Sequence, residues 1–360
     1  MISARRLRKP SLRIEAMTFE VYHHPEPFRL ESGVDLASLD VAYHTFGRLN
    51  DKGDNVIWVC HALTANSDVA DWWPHTVERG AFLDPERYFV VCANILGSCY
   101  GTTGPLSENP ASGEPYYGDF PKVSMRDQAR VLSLLADALG IRHIHGLVGA
   151  SVGGFQALEW AAAEPWRFDR VALIATAPKA SPWAIAIDET QRMAIFADSS
   201  YGERHAGAGA AGLAAARALG LLSYRGPEGY NLTQADAENT SGEVPAQHRA
   251  CSYQRHQGDK LIRRFNAYSY VSILDTFDTH DIGRGRGGVC AALESIGRNV
   301  DRVCVVGLST DLVFTPKEME ALAGDIPGCE FHRIDSPLGH DGFLVEHEQL
   351  NSILKPFFFK

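Results

Sequence analysis

The stretch Ile144-His145-Gly146-Leu147-Val148-Gly149-Ala150-Ser151-Val152-Gly153-Gly154 decides the fold of this chain. Its apolar run ends in Gly-Ala-Ser-Val-Gly-Gly, and an alanine-rich helical pattern follows over Phe155–Glu164. A G-x-S-x-G turn between a strand and a helix lets small neighbours hold a strained backbone, so that a serine hydroxyl stands at the helix N-terminus. The pattern predicts Ser151 as a nucleophile, against the alternative of an ordinary glycine–serine turn.

Strand and helix patterns alternate on both sides of this turn. Apolar runs predict strands at Asp40–Phe46, Val56–Cys60, Tyr88–Ile95, Arg170–Ile174, Val303–Val306 and Glu330–Ile334. Helical periodicity covers Val123–Leu139 and Glu346–Phe358. Alternation of this kind is typical of an α/β fold with a mostly parallel sheet and helices on both faces.

The strand pattern stops near Pro178 and returns after residue 289. We therefore predict a core domain made of residues 18–180 and 290–360, interrupted by a helical lid insertion at 181–289, here called the lid segment. Two helices are expected in it, at Gly212–Leu222 and Asp259–Tyr270. The alternative is a second, independent helical domain. Residues 1–17 are expected to be a flexible extension.

Composition limits the possible partners. The chain has 34 Lys+Arg against 44 Asp+Glu, a net charge of −10 that argues against nucleic acid as the main partner. Its longest apolar runs have the length of strands, so no membrane association is expected. Seven cysteines occur without C-x-x-C or zinc-ligand spacing, which predicts free thiols, a reducing cytoplasmic location and no metal site.

A serine nucleophile needs a histidine base and a carboxylate that orients it. Asp311 follows the apolar strand Val303–Val306, and His340 lies in a loop after a later strand, in the order serine, acid, histidine. These two residues are the predicted partners of Ser151. Three other histidines are less suitable by position: His61, His145 and His280.

Two backbone N–H groups are needed to stabilise an oxyanion. The amide of Val152, next to the nucleophile, is predicted to supply one, and the amide of Leu63, in the loop after Val56–Cys60, is predicted to supply the other.

Several longer motifs resemble one known family. They are His61-Ala62-Leu63-Thr64, Asn94–Pro105, Gly149–Trp160, the Asp278–Gly288 stretch and Gly339-His340-Asp341. From about residue 19 to the C-terminus the chain resembles the homoserine O-acyltransferases, which are members of the α/β-hydrolase superfamily. Val152 departs from the methionine that is frequent there, which bears on the shape of the acyl pocket.

The resemblance implies an α/β-hydrolase fold and ping-pong transfer of an acyl group from acyl-CoA, through an acyl-serine, to the hydroxyl of L-homoserine. It also implies that Arg217 grips the acceptor carboxylate, that Asp341 receives the amino group and that Tyr224 lies beside the substrate. No bound cofactor is implied, only acyl-CoA as cosubstrate, and a homodimer through the lid helices is expected.

The acyl donor is expected to be acetyl-CoA. Members of the family that use succinyl-CoA resemble one another in an arginine two residues after the catalytic aspartate, and this chain has Val313 there. A succinyl carboxylate left unpaired in a buried site would be costly. We therefore expect acetyl transfer.

Gly283–Gly288 fits G-x-G-x-x-G, but no strand pattern precedes it, so a dinucleotide site is not expected. A weaker hypothesis gives Arg284 and Arg286 a role near the phosphates of CoA.

Three alternatives to homoserine acetylation stay open. One is a serine esterase or thioesterase, since the same catalytic residues serve both chemistries. Another is transfer to L-serine, which is one methylene shorter, a difference worth only about 1–3 kcal/mol of discrimination. The third is a non-catalytic binding module, which normally lacks one of the three catalytic residues.

Overall fold

The computed structural model describes residues 19–236 and 248–359. The predicted extension at 1–17 therefore lies outside the described residues. The central element is an eight-stranded sheet. Its strands in chain order are β1 (Glu20–His24), β2 (Leu39–Phe46), β3 (Val56–Cys60), β4 (Phe89–Ala93), β5 (Ile144–Ala150), β6 (Phe168–Ile174), β7 (Arg302–Leu308) and β8 (Glu330–Ile334).

The sheet order is β1-β2-β4-β3-β5-β6-β7-β8. The pairs β1·β2 and β2·β4 are antiparallel and the remaining five pairs are parallel, so the prediction of a mostly parallel sheet is confirmed. β5, which leads into Ser151, lies between β3 and β6 near the middle of the sheet. The carboxyl ends of the parallel strands therefore surround the serine.

Helices cover both faces of the sheet, as predicted. They are α1 (Val69–Trp72), α2 (Met125–Ala138), α3 (Val152–Ala163), α4 (Pro182–Phe196), α5 (Ala210–Tyr224), α6 (Pro227–Gln234), α7 (Arg249–Ile262), α8 (Ala267–Asp278), α9 (Val289–Asn299), α10 (Pro316–Asp325), α11 (Gly342–Val345) and α12 (His347–Phe359).

Successive side chains of β3 divide between two apolar cores, as the pleat of a strand requires. Val56 and Trp58 join the core that contains α2, α3 and α9, and Ile57 and Val59 join the core that contains α12. Every residue of β3 is buried, which explains why its sequence is continuously apolar rather than alternating.

Among the described residues, the chain between β6 and β7 forms no sheet strand and contains the helices α4 to α9. The predicted helix Asp259–Tyr270 is wrong: α7 ends at Ile262 and α8 starts at Ala267. The Asn266 side chain accepts a hydrogen bond from the Ser269 amide and so caps a new helix. The helical pattern of the flanking residues obscured the fact that Asn266 marks the start of a second helix.

The chain enters and leaves the lid segment at one place. Lys179 and Asp281 form an isolated antiparallel bridge, and their side chains form an ion pair at 3.8 Å. The Ile282 amide donates to the Pro178 carbonyl at 3.1 Å. These two short stretches, 178–179 and 281–282, are called the neck.

None of the helices within 19–236 and 248–359 combines the length and apolar character needed to cross a membrane.

Candidate active site

The turn after β5 has the strained geometry expected of a nucleophile turn. Ser151 has φ +55° and ψ −126°, outside the regions favoured by residues with a side chain. A Cβ on Gly153 would lie 2.0 Å from the Cys60 carbonyl oxygen, and one on Gly149 would lie 2.3 Å from the Gly153 oxygen. Both glycines are therefore required for α3 to begin directly at Val152, three residues earlier than the sequence pattern indicated.

Ser151, His340 and Asp311 form one chain of hydrogen bonds. His340 Nε2 lies 2.9 Å from Ser151 Oγ, and His340 Nδ1 lies 2.8 Å from Asp311 Oδ2. The other carboxylate oxygen, Asp311 Oδ1, accepts from the amides of Val313 at 2.8 Å and Phe314 at 3.0 Å. These amides fix the carboxylate, which in turn fixes the tautomer of the imidazole with Nε2 facing the serine.

The electrostatics of His340 suit a general base. Burial alone would lower its pKa, but the adjacent charge of Asp311 and the hydrogen bond to it outweigh burial, and Asp341 adds to their effect. The pKa of His340 is therefore raised above its ordinary value of 6.5. The imidazole can accept a proton from Ser151 and hold it while charge develops on the reacting group.

The three alternative histidines are occupied elsewhere. His61 accepts a hydrogen bond from the Ile95 amide at Nε2, and burial lowers its pKa to about 4. His280 is buried against Phe155, and burial lowers its pKa to about 3. His145 contacts Asp169 and the Phe358 carbonyl. The geometry thus favours His340, which chain order and its position in a loop after a strand had predicted.

Leu63 and Val152 both line the cavity that opens above Ser151. Val152 is the first residue of α3, so its amide has no acceptor within the helix. Both predicted residues therefore line the same cavity as Ser151.

The cavity has a volume of about 1,820 Å³ and lies between the core and the lid segment. Its lining includes Ser151 and His340 from the core, Arg217 on α5 and Arg263 at the end of α7. This volume exceeds that of an amino acid many times over and suits two substrates, one of them long.

The three residues that the resemblance assigned to the acceptor lie together on this cavity. The Arg217 guanidinium is 5.8 Å from the centre of the Tyr224 ring, and that ring is 5.9 Å from the His340 ring. Asp341 directly follows His340 and contacts Arg225 at 2.7 Å. A cation, an anion and a phenol thus line the cavity that contains the catalytic hydrogen-bond chain.

One polar network beside this cavity was not predicted from the sequence. Asp188 of α4 lines the cavity, is buried and accepts a hydrogen bond from Gln191 Nε2 at 2.9 Å. Burial and the neighbouring Asp278 raise its pKa well above the ordinary range. Gln191 also accepts from the Tyr270 hydroxyl. No sequence signal marks this network, because its members are single polar residues on two separate helices.

Arg284 and Arg286 do not lie on this cavity. Arg284 forms ion pairs with Glu31 at 2.8 Å, and Arg286 binds the buried carboxylate of Glu159. The hypothesis that they line the cavity mouth near the phosphates of CoA is therefore wrong: carboxylates of the core already hold both side chains. The Gly283–Gly288 motif is preceded by the isolated bridge at Asp281 and not by a long strand, which a dinucleotide-binding motif requires.

No group of three metal-ligand side chains occurs within the part of the chain that the structure describes.

Comparisons with known proteins agree with this fold. A family model described as the alpha/beta hydrolase fold matches residues 55–347, and the chain belongs to that class. The curated homoserine O-acetyltransferase of Cyclobacterium marinum is 44% identical over 352 residues, which cover 98% of each chain. The chain is therefore a member of the homoserine O-acetyltransferase family.

Two solved structures show how widely this fold is shared. The homoserine O-acetyltransferase of Bacillus anthracis has a TM-score of 0.86 at 23% identity and covers 95% of this chain and 98% of its own. Esterase E22 has a TM-score of 0.84 at 23% identity and covers 95% and 99%. At this identity both show the fold alone, and only the sequence relationship separates transferases from esterases.

Proposed function

We propose that this protein transfers an acetyl group from acetyl-CoA to the hydroxyl of L-homoserine, giving O-acetyl-L-homoserine and CoA, a step of methionine biosynthesis. One observation carries the proposal: the Ser151–His340–Asp311 hydrogen-bond chain opens into a cavity that also presents Arg217 and Asp341. Membership of the homoserine O-acetyltransferase family supports the same reaction.

The first half-reaction acetylates Ser151. His340 Nε2 takes the proton of Ser151 Oγ, which lies 2.9 Å away, as that oxygen attacks the thioester carbonyl. The amides of Val152 and Leu63 stabilise the oxyanion. The C–S bond then breaks, and the imidazolium returns the proton to the departing thiolate, so that CoA leaves as a thiol.

The second half-reaction uses the same groups in reverse. The homoserine hydroxyl gives its proton to His340 and attacks the acetyl-serine carbonyl. The bond from the acetyl carbon to Ser151 Oγ then breaks, and the imidazolium returns the proton to the serine. Asp311 stays ionised throughout and holds the imidazolium that forms in each half.

The acceptor is held as a zwitterion. The planar guanidinium of Arg217 suits its carboxylate, and the carboxylate of Asp341 suits its ammonium group. The pKa of the buried Tyr224 hydroxyl is raised by burial and by nearby carboxylates, so Tyr224 serves as a neutral hydrogen-bonding group beside the acceptor. An ester hydrolase has no need for such a pair of opposite charges.

The donor is acetyl-CoA. Val313, the residue two positions after Asp311, lines the cavity and is only 7% exposed. Its side chain offers no cation to a succinyl carboxylate at that position, which would be left in an apolar environment.

The segment 181–289 acts as a lid on a core made of 18–180 and 290–360. It supplies the cavity wall opposite Ser151 and so limits the access of water to the acetyl-serine. Transfer instead of hydrolysis depends on this exclusion.

The protein is proposed to be a homodimer through the lid helices. Large apolar side chains are exposed on the outer surface of these helices: Trp183, Met193, Phe196, Leu219, Leu222 and Leu232. Where such side chains form one continuous patch, they commonly mark a contact surface between proteins. Sedimentation at micromolar concentration is expected to give twice the 39.4 kDa chain mass, and a monomer would contradict the proposal.

A cytoplasmic location is proposed because the cysteines are free thiols. All seven are unpaired, and burial raises the thiol pKa of Cys99 and Cys329 to about 12. Unpaired thiols are usual in a reducing compartment.

The decisive experiment follows CoA thiol release from acetyl-CoA with and without L-homoserine, with L-serine and succinyl-CoA as substitutes. Ser151→Ala serves as the blank. Homoserine-dependent release that disappears in the blank supports both the reaction and the nucleophile. Preference for L-serine would move the acceptor assignment, and release indifferent to any amino acid would make water the acceptor and the protein an esterase or thioesterase.

A further inference from the structure

The end of α5 is packed against the loop that carries His340. Gly339 has φ +67°, and a Cβ on it would lie 2.3 Å from the Gly226 amide nitrogen. A Cβ on Gly226 would lie 2.6 Å from the Pro337 oxygen, and the Gly229 amide donates to that same oxygen at 3.1 Å. The backbone of the lid segment therefore packs directly against the backbone of the loop that carries His340.

Arg225 lies in this contact and reaches Asp341. Its Nε is 2.7 Å from Asp341 Oδ2, and the two side chains are 25% and 13% exposed. Asp341 lines the cavity, whereas Arg225 is not among the residues that line it. The Arg225 guanidinium thus contacts the Asp341 carboxylate without itself lining the cavity.

We infer that Arg225 is a positioning residue for the acceptor amino group: it holds Asp341 by one oxygen and leaves the other to face the cavity. The inference rests on the proposed function, in which Asp341 receives the ammonium group of homoserine. An ionised carboxylate has about four lone-pair sites, so it can bind a guanidinium and an ammonium group together. Without Arg225, the carboxylate would be free to rotate and its orientation would have to be fixed on binding.

Arg225 also moderates the charge next to His340. The charged groups acting on this imidazole are Asp311, which is hydrogen-bonded to it, and Asp341, and both raise its pKa. The Tyr224 ring, 5.9 Å away, completes the polar surroundings. Removing Arg225 leaves the charge of Asp341 uncompensated, which raises the pKa of His340 further and moves the acid limb of activity to higher pH.

The test compares Arg225→Gln and Arg225→Lys with the wild type in two assays. The first is the KM for L-homoserine in acetyl transfer, and the second is the pH profile of Ser151 acetylation by p-nitrophenyl acetate without acceptor. Arg298→Gln is the matched control, because Arg298 forms an ion pair with Glu294 but is 70% exposed and not on the cavity.

Arg225→Gln is expected to raise the KM for L-homoserine by about 10-fold or more, the effect of losing the ion pair that orients Asp341. The acetylation rate at high pH should stay near that of wild type, while its acid limb moves to higher pH. Arg225→Lys should restore part of both effects, and Arg298→Gln should show neither. In an Asp341→Asn background, Arg225→Gln should add no more than about 2-fold to the KM.

Equal losses in both half-reactions with an unmoved acid limb would overturn the inference, since that pattern describes a general structural role. The inference would also be overturned if Arg225→Gln raised the KM for L-homoserine as much in the Asp341→Asn variant as in the wild type. Failure of the proposed function is distinguishable, because wild-type CoA release would then not depend on homoserine. The acid limb in the ester assay would still show whether Arg225 acts through Asp341.

Discussion

Replacing Asp311 by asparagine isolates what one carboxylate contributes to this site. The side chain is fully buried, and its two oxygens have separate tasks: Oδ2 faces His340 Nδ1 at 2.8 Å, and Oδ1 accepts from two backbone amides. In Asp311→Asn the amide oxygen can keep the backbone contacts, because it occupies the same position. The amide NH₂ then faces Nδ1, which must become an acceptor.

That exchange forces the proton of the neutral imidazole onto Nε2, the atom 2.9 Å from Ser151 Oγ. A protonated Nε2 cannot take the proton of the serine. The corresponding change in serine proteases costs about 10⁴-fold in kcat, equivalent to about 5.4 kcal/mol of transition-state stabilisation. We expect a loss of this order here. The pKa of His340 should also fall, because the charge of Asp311 helps to raise it.

The assay measures homoserine-dependent CoA release as a function of pH, together with the melting temperature of each variant. Asp335→Asn is the matched control, since Asp335 is exposed and accepts from Ser309 at the end of a neighbouring strand. The residual activity of Asp311→Asn should have its acid limb at lower pH than wild type. Activity within about 10-fold of wild type would refute the tautomer argument, for which the expected loss is about 1,000 times larger.

Three further predictions follow from the described geometry. Gly153→Ala should destabilise the fold by about 1–3 kcal/mol in chemical denaturation, because its Cβ would lie 2.0 Å from the Cys60 oxygen. Gly324→Ala is the control: a Cβ there has nothing within 4 Å, so this change should stabilise α10 by up to about 1 kcal/mol. Equal effects of the two changes on stability would contradict the steric argument. The acid limb of wild-type kcat/KM should lie above pH 6.5, because neutral His340 is the active form and its pKa is raised; a limb below that value would count against His340 as the base. Arg217→Lys should raise the KM for L-homoserine by about 10-fold through loss of bidentate binding, with Ser151 acetylation unchanged, and an unaltered KM would remove Arg217 from the acceptor site.

The sequence was most informative where local chemistry has few solutions. The turn at Ser151 needs glycines that no other residue can replace, and fully buried parallel strands must be continuously apolar, so the fold class and the nucleophile turn could both be predicted. Chain order then selected Asp311 and His340, and the structure brings these two residues to Ser151 at hydrogen-bond distance.

Ion pairs between residues far apart in the chain could not be predicted from the sequence. Arg284 and Arg286 were considered for CoA because basic residues suit phosphates, but Glu31 and Glu159 bind them, and Glu31 lies 253 residues away from Arg284. The sequence pattern assigns no role to Arg225. Its contact with Asp341 depends on how the lid segment packs on the histidine loop, which no pattern within either segment encodes.

The neck has a consequence for how this enzyme could be rebuilt. Since Lys179 and Asp281 are bridged, the two points at which the chain leaves and rejoins the core are already adjacent. Excision of the intervening residues could be closed by a short turn without interrupting any strand of the sheet. By the same reasoning, lids from relatives with other acceptors could be exchanged as cassettes at these two positions, so that Arg217 and Tyr224 are replaced while Asp341 stays with the core.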